Sequence, residues 1–148
     1  MLSASRALLA VAVQSIGQAG GGVTIPQFRA LVVLAEFGPQ NLRSLAEHLG
    51  VHPSTATRLC DRLVAKGLLQ RETSVNSRRE ITLQVAKAGA DVVRDVLQAR
   101  RTEIRRILAD LPEKQRRDAA RAFAAFAAAR GEVPEESWAV GWAAATGD

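Results

Sequence analysis

Apolar positions along the first third of the chain recur at helical spacing. Between residues 3 and 19, Leu8, Leu9, Ala12, Val13 and Ile16 follow the 3.6-residue period of an amphipathic helix, and the run Gly20, Gly21, Gly22 ends it. A second helix is predicted from Thr24, where Gln27 completes a capping box, through Phe28, Leu31, Val32, Leu34 and Ala35 until Gly38 and Pro39 stop it. A short third helix follows Asn41 as its N-cap, with Leu42, Leu45, Ala46 and Leu49 facing inward and Gly50 as its breaker; Val51 is expected in the core of the turn. Pro53 opens a fourth helix that runs to Lys66, since proline loses no hydrogen bond in a first turn.

After Gly67 the period becomes alternating. Leu68 to Thr73 reads as one strand. Glu80 to Val85 reads as another, with Ile81, Leu83 and Val85 on the buried face and Glu80, Thr82 and Gln84 on the other. Ser74, Val75, Asn76, Ser77 and Arg78 make a polar hairpin loop between them. Beyond Val85, the residues Val93, Val96, Leu97, Ile104, Ile107, Leu108 and Leu111 hold one apolar stripe for about six turns, and such a helix needs a partner. Pro112 interrupts the pattern. An alanine-rich helix with Ala119, Ala120, Phe123, Ala124, Phe126 and Ala127 follows, then an acidic tail from Gly131 in which Trp138 and Trp142 stand one helical turn apart; they either dock on a partner chain, the reading slightly favoured, or belong to a partly ordered tail. The whole reads as one domain over residues 1–148, of α+β class and mostly α.

Composition narrows the setting. The 47% apolar and 24% charged fractions are those of a globular protein, and no stretch approaches the roughly 20 unbroken apolar residues of a membrane helix. The opening segment has one early charge, Arg6, and its apolar run is interrupted by Gln14 and Ser15, so it reads as a structural helix rather than a signal peptide. The single cysteine, Cys60, excludes an intramolecular disulfide and fits a reducing compartment, with the cytoplasm as the default. The net charge of +5 is unevenly spread: residues 40–86 carry seven basic and four acidic groups, residues 87–121 ten and six, and residues 122–148 one and four. A basic middle is compatible with a phosphate-rich partner without demanding one.

The order of elements carries more weight. Two helices joined by a glycine turn, then a two-stranded hairpin, is the order of a winged helix-turn-helix, whose second helix enters a major groove and meets base edges with polar side chains. At 100° per residue, Ala56, Leu59, Cys60 and Leu63 form the inner face of that helix. Ser54, Arg58, Asp61, Arg62 and Ala65 point away, with Thr55 and Thr57 on the flanks. Hydroxyls near the helix N-terminus and arginines beyond suit phosphate contact and bidentate recognition of guanine. Singly, Arg58 and Arg62 are most simply solvated surface charges; within this order of elements they read as DNA contacts.

The segment TIPQFRALVVLAEFGPQNLRSLAEHLGVHPSTATRLCDRLVAKGLLQRE, with SRREITLQVAKAG after it, resembles the MarR family of bacterial regulators over residues 24–89, and the flanking helices fit that family's layout. The most specific parts are LAEHLGVHPSTATRLCDRLVAKGLLQR and the paired Arg78 and Arg79 of the hairpin. The resemblance implies a homodimer that binds double-stranded DNA at a roughly palindromic operator. Residues 24–86 would be the DNA-binding module and residues 3–19 and 87–130 the interlocked dimerisation helices. It also implies a hairpin arginine in the minor groove. Repression is the more common outcome for such proteins. Three positions depart from the family's habit: Ser77 where an aspartate often braces the wing, Ala86 where a threonine caps the long helix, and His52 where a serine caps the recognition helix.

Other chemistry has little support in the sequence. His48, His52 and Cys60 have ligand spacing only if one helix runs through them, and Gly50 breaks it, so neither metal nor cofactor is expected. Cys60 lies on the inner face, where a thiol is usually unreactive. There is no phosphate loop, nucleophile elbow or paired-carboxylate constellation, so an enzyme is not expected. Two other readings compete: a small-molecule- or metal-responsive winged-helix regulator of another family, and a winged-helix interaction module without DNA binding. Arg58, Arg62, Arg78 and Arg79 weigh against the latter. A small-molecule effector is compatible with the resemblance but tied to no motif.

Overall fold

A computed structural model describes residues 1–73 and 81–138. Among the described residues, six helices, α1 (Leu2–Ala19), α2 (Ile25–Phe37), α3 (Leu42–Leu49), α4 (Pro53–Ala65), α5 (Lys87–Ala109) and α6 (Glu113–Arg130), accompany a small antiparallel sheet of β1 (Gln40–Asn41), β2 (Leu69–Thr73) and β3 (Ile81–Val85). Strand order is β1-β3-β2, with Leu69 opposite Val85, Thr73 opposite Ile81 and Gln40 opposite Leu83. β1 escapes the sequence pattern because two residues cannot show an alternation.

The helix starts obey the local signals. Thr24 Oγ1 accepts the Gln27 amide at 3.4 Å, while Gln27 Oε1 accepts the Thr24 amide at 3.0 Å, closing the capping box that Pro26 follows into the first turn of α2. Asn41 Oδ1 accepts the Ser44 amide at 2.9 Å and caps α3. At the end of α3, Gly50 takes φ +65°, the left-handed conformation that lets the chain turn toward α4. Val51 is only half-buried there. Ala86 caps α5 with backbone alone.

The core forms around α2, whose residues 30 to 35 are all buried because neighbours surround it: α3 and α4, α5, and the sheet. Leu31, Leu45, Leu63, Val93 and Val96 are fully enclosed, each adding about 1.5–3 kcal/mol of burial. Leu83 and Val85 fill the inner face of β3 as expected, but Ile81 is 57% exposed, because the buried face opens toward the hairpin end. Gly89, on the first turn of α5, allows that helix to rest directly on Leu68, the residue that leads into β2: a Cβ there would collide with the Leu68 carbonyl oxygen and stand 3.0 Å from Val85 Cγ1 of β3. The same Leu68 carbonyl accepts the Ala86 amide at 3.0 Å.

Farther along, α5 packs against α1, and Arg100 reaches back from it. Its Nε donates to Ser15 Oγ at 3.3 Å and its guanidinium lies 5.6 Å from the centre of the Phe28 ring. Burial lowers the pKa of this guanidinium. By contrast α6 buries no residue against its own chain. After it, the chain returns to α2. Gly131 ends α6 in the left-handed conformation, its amide bonded to Ala128 O at 3.0 Å and the Glu132 amide to Ala127 O at 3.0 Å. Glu132 then pairs with Arg29 of α2 at 3.5 Å, and Trp138 packs half-buried against the core, donating its indole N–H to Val133 O at 3.2 Å. Trp138 thus packs on α2 of its own chain, and Trp142 lies outside the described residues.

Candidate nucleic-acid interface

α4 is two-faced in the way a groove-reading helix requires. Ala56, Cys60 and Leu63 are completely buried, while Ser54, Thr55, Arg58, Asp61, Arg62 and Ala65 are exposed; Thr57 is half-buried on the flank. Leu59, expected inside, is only half-buried. It sits at the edge of the inner face, where Cys60 and Leu63 are fully buried.

The start of the helix is capped by a residue seldom used for that purpose. His52 is extended, and its Nδ1 accepts the Ser54 amide at 3.3 Å and stands 2.9 Å from Ser54 Oγ. Accepting the amide requires the tautomer protonated on Nε2. The imidazole therefore does the work of the missing serine, and the departure at position 52 leaves the helix capped.

Local bonds set which polar groups remain available. Thr57 Oγ1 donates to Pro53 O at 2.9 Å, so it faces outward as an acceptor. Arg58 Nε lies 3.4 Å from Ser54 O, which lays the side chain along the helix toward its N-terminus. Arg62 has no hydrogen-bond or ion-pair partner among the described residues and is exposed. Thr55 is exposed on the first turn, where the helix dipole favours an anion. Arg78 and Arg79, with Ser77, lie outside the described residues.

Two positions contribute that the sequence did not point to. Asp61 would repel phosphate from the middle of the outer face, but Arg71 of β2 forms an ion pair with it. Lys66, at the C-terminus of α4, donates through Nζ to Gly22 O at 2.7 Å and lies 3.5 Å from Gln27 Oε1, tying the helix to the turn between α1 and α2. Partners 10 and 44 residues apart leave no local sequence signal.

The remaining reactive groups serve the fold. Burial pushes the Cys60 thiol up to about 11, with nearby Arg71 opposing only in part. His48 Nδ1 lies 2.9 Å from both Gln40 Oε1 and Ser44 O, and its ring stacks on Phe37 at 4.4 Å. Among the described residues no group of three or more His, Cys, Asp or Glu side chains converges on a metal position, and no helix is long and apolar enough to cross a membrane.

Comparison with known proteins agrees with this geometry. The family model described as MarR family matches residues 23–81. The HTH-type transcriptional repressor MdtR of Bacillus subtilis (strain 168) is 33% identical over 108 residues, covering 73% of this chain and 70% of that protein. The crystal structure of RV1404 from Mycobacterium tuberculosis is 47% identical, with a TM-score of 0.85 over 90% of each chain. A MepR variant from S. aureus, solved bound to an oligodeoxyribonucleotide, is 16% identical and shares the fold, with a TM-score of 0.67 over 86% of this chain and 92% of that one. With its two-faced α4, its small sheet and these relatives, the chain belongs to the MarR family of winged helix-turn-helix transcriptional regulators.

Proposed function

We propose that the protein binds double-stranded DNA sequence-specifically as a homodimer on a palindromic operator, and that it represses. The observation that carries this reading is α4, with three fully buried residues on one face and Ser54, Thr55, Arg58 and Arg62 exposed on the other. Residues 24–86 form the DNA-binding module, α4 lies in the major groove, and Arg78 and Arg79 of the hairpin reach phosphates or the minor groove. Repression follows the relative MdtR, named as a repressor, and DNA contact has a precedent in the oligodeoxyribonucleotide-bound MepR variant.

Dimerisation is supported by apolar surface that one chain leaves uncovered. Leu8, Leu9 and Val13 of α1, Ile107 of α5 and Phe123 and Phe126 of α6 are all exposed. A two-fold partner would cover these helices and present two α4 helices about one DNA turn apart. Sequencing the DNA that co-purifies with the protein, together with light scattering at micromolar concentration, tests both parts; a stable folded monomer would remove the basis for palindrome recognition.

A second feature favours effector control. Between α1 and α5 lies an open, polar cleft of about 400 Å³, lined by Gln14, Gln18, Asp95, Gln98, Thr102 and Glu103. A hydrogen-bonding effector there would release operator DNA, and loss of binding on adding that compound is the measurement.

A further inference from the structure

The segment from Gly131 to Trp138 joins α6, which buries none of its side chains among the described residues, to the helix against which α4 is packed. We propose that it is a clasp that transmits the position of α6 to α2, so that Trp138 is a positioning residue for the two recognition helices. The inference rests on the dimeric reading above.

The connection is short and fixed at both ends. Two hydrogen bonds close the end of α6 around Gly131, and Glu132, the next residue, is already paired with Arg29. The carboxylate of Glu36, two helical turns beyond Arg29 and so on the same face of α2, lies near the backbone N–H of Val133. The indole of Trp138 then packs against the core while its N–H closes the loop on Val133 O. The Arg29–Glu132 pair is partly exposed on both sides and adds little by itself. The apolar body of Trp138 is the larger anchor. α2 in turn packs on α4, and Lys66 binds the turn that precedes α2. A shift of α6 in the dimer is therefore carried to α4 through packed side chains and not only through the length of α5. Without the clasp, each module would be held to its dimerisation helices by α5, the α1–α2 turn and the end of α1, and the separation of the two α4 helices would widen into a distribution.

The test uses the full chain with a spin label at Ala65→Cys, an exposed position at the end of α4, in the presence of the buried, unreactive Cys60. Pulsed dipolar spectroscopy on the dimer reads the α4–α4 distance without DNA. The expected result is a narrow distribution in the parent, a broad one in Trp138→Ala and an intermediate one in Arg29→Gln with Glu132→Gln, with Trp138→Phe close to the parent. Dimer content by light scattering should be unchanged throughout. In parallel, on operator DNA selected by the parent protein, Trp138→Ala should lose about fivefold or more of its discrimination against a half-site spacing changed by about two base pairs. An unchanged distance distribution in Trp138→Ala overturns the proposal, and so does loss of the dimer in either variant, which would make the tail part of the dimer interface. A parent that selects no DNA would refute the DNA-binding reading alone, since the distance measurement still decides the clasp.

Discussion

Replacing Arg62 by alanine separates base reading from simple charge attraction. Because Arg62 has no partner among the described residues, its loss leaves no described polar group unsatisfied, and stability should stay within about 0.5 kcal/mol of the parent. Any change in binding then reports the DNA contact. If its guanidinium is bidentate to a guanine, each half-site loses about 1–3 kcal/mol. Both half-sites of a symmetric dimer are hit independently, so the complex weakens by about 2–6 kcal/mol, or roughly 30-fold to 20,000-fold, at the preferred operator and much less at one already altered at that base. If Arg62 meets phosphate instead, all sequences weaken alike and the salt slope falls by about 2 in magnitude. Arg58, directed back toward Ser54, is the internal comparison. Arg79→Ala, in the hairpin, should follow the phosphate or minor-groove pattern. The assay is fluorescence anisotropy on the operator and its point variants at several salt concentrations. Unchanged affinity in both Arg58→Ala and Arg62→Ala would refute the placement of α4 in the major groove.

Three other outcomes concern the buried thiol, the dimer face and a partly buried carboxylate. With its thiol held at about 11, Cys60 should resist alkylation in the folded protein at pH 8, and Cys60→Ala should cost about 1 kcal/mol in denaturant unfolding without altering DNA release by peroxide; a peroxide response that depends on Cys60 would reverse this. Phe126→Asp, at a position 74% exposed in one chain, should weaken the dimer by about 2 kcal/mol per protomer, roughly a thousandfold in its dissociation constant by sedimentation, while leaving circular dichroism unchanged. Glu36 has its pKa raised, chiefly by burial, so the folded state favours its protonated form. Stability should therefore fall as pH rises from the ordinary carboxylate range through the raised value, and Glu36→Gln should remove that part of the pH dependence of unfolding.

The sequence reveals those features whose causes lie within a few residues. The Thr24 capping box and the Asn41 cap rest on bonds spanning one turn and take the form their patterns predict, and of the predicted inner set Ala56, Leu59, Cys60 and Leu63 all but the half-buried Leu59 are enclosed. Contacts across the chain are illegible in the same reading: Arg71 neutralising Asp61, Lys66 on Gly22 and Trp138 on α2 depend on how elements stack. His52 is a different case. It lies at the right place for a cap, but histidine is an uncommon choice, and only the direction of its ring reveals the role. For the outer face of α4, periodicity identifies the exposed side chains but not their local bonds, and so cannot distinguish Arg62, without a partner among the described residues, from the half-engaged Arg58.

Gly89 has a consequence for how functional maps of this protein will read. In an open helix, alanine would be favoured over glycine by about 1 kcal/mol, and a stability screen would nominate the exchange. Here the added methyl group must push the base of α5 off the Leu68 carbonyl, and with it the beam that runs from the sheet toward α6. In a selection for operator binding, position 89 should be intolerant to every side chain and score beside the arginines of α4, although it would never meet the DNA. Sensitivity to substitution in this fold marks where the modules are aimed as well as where they touch.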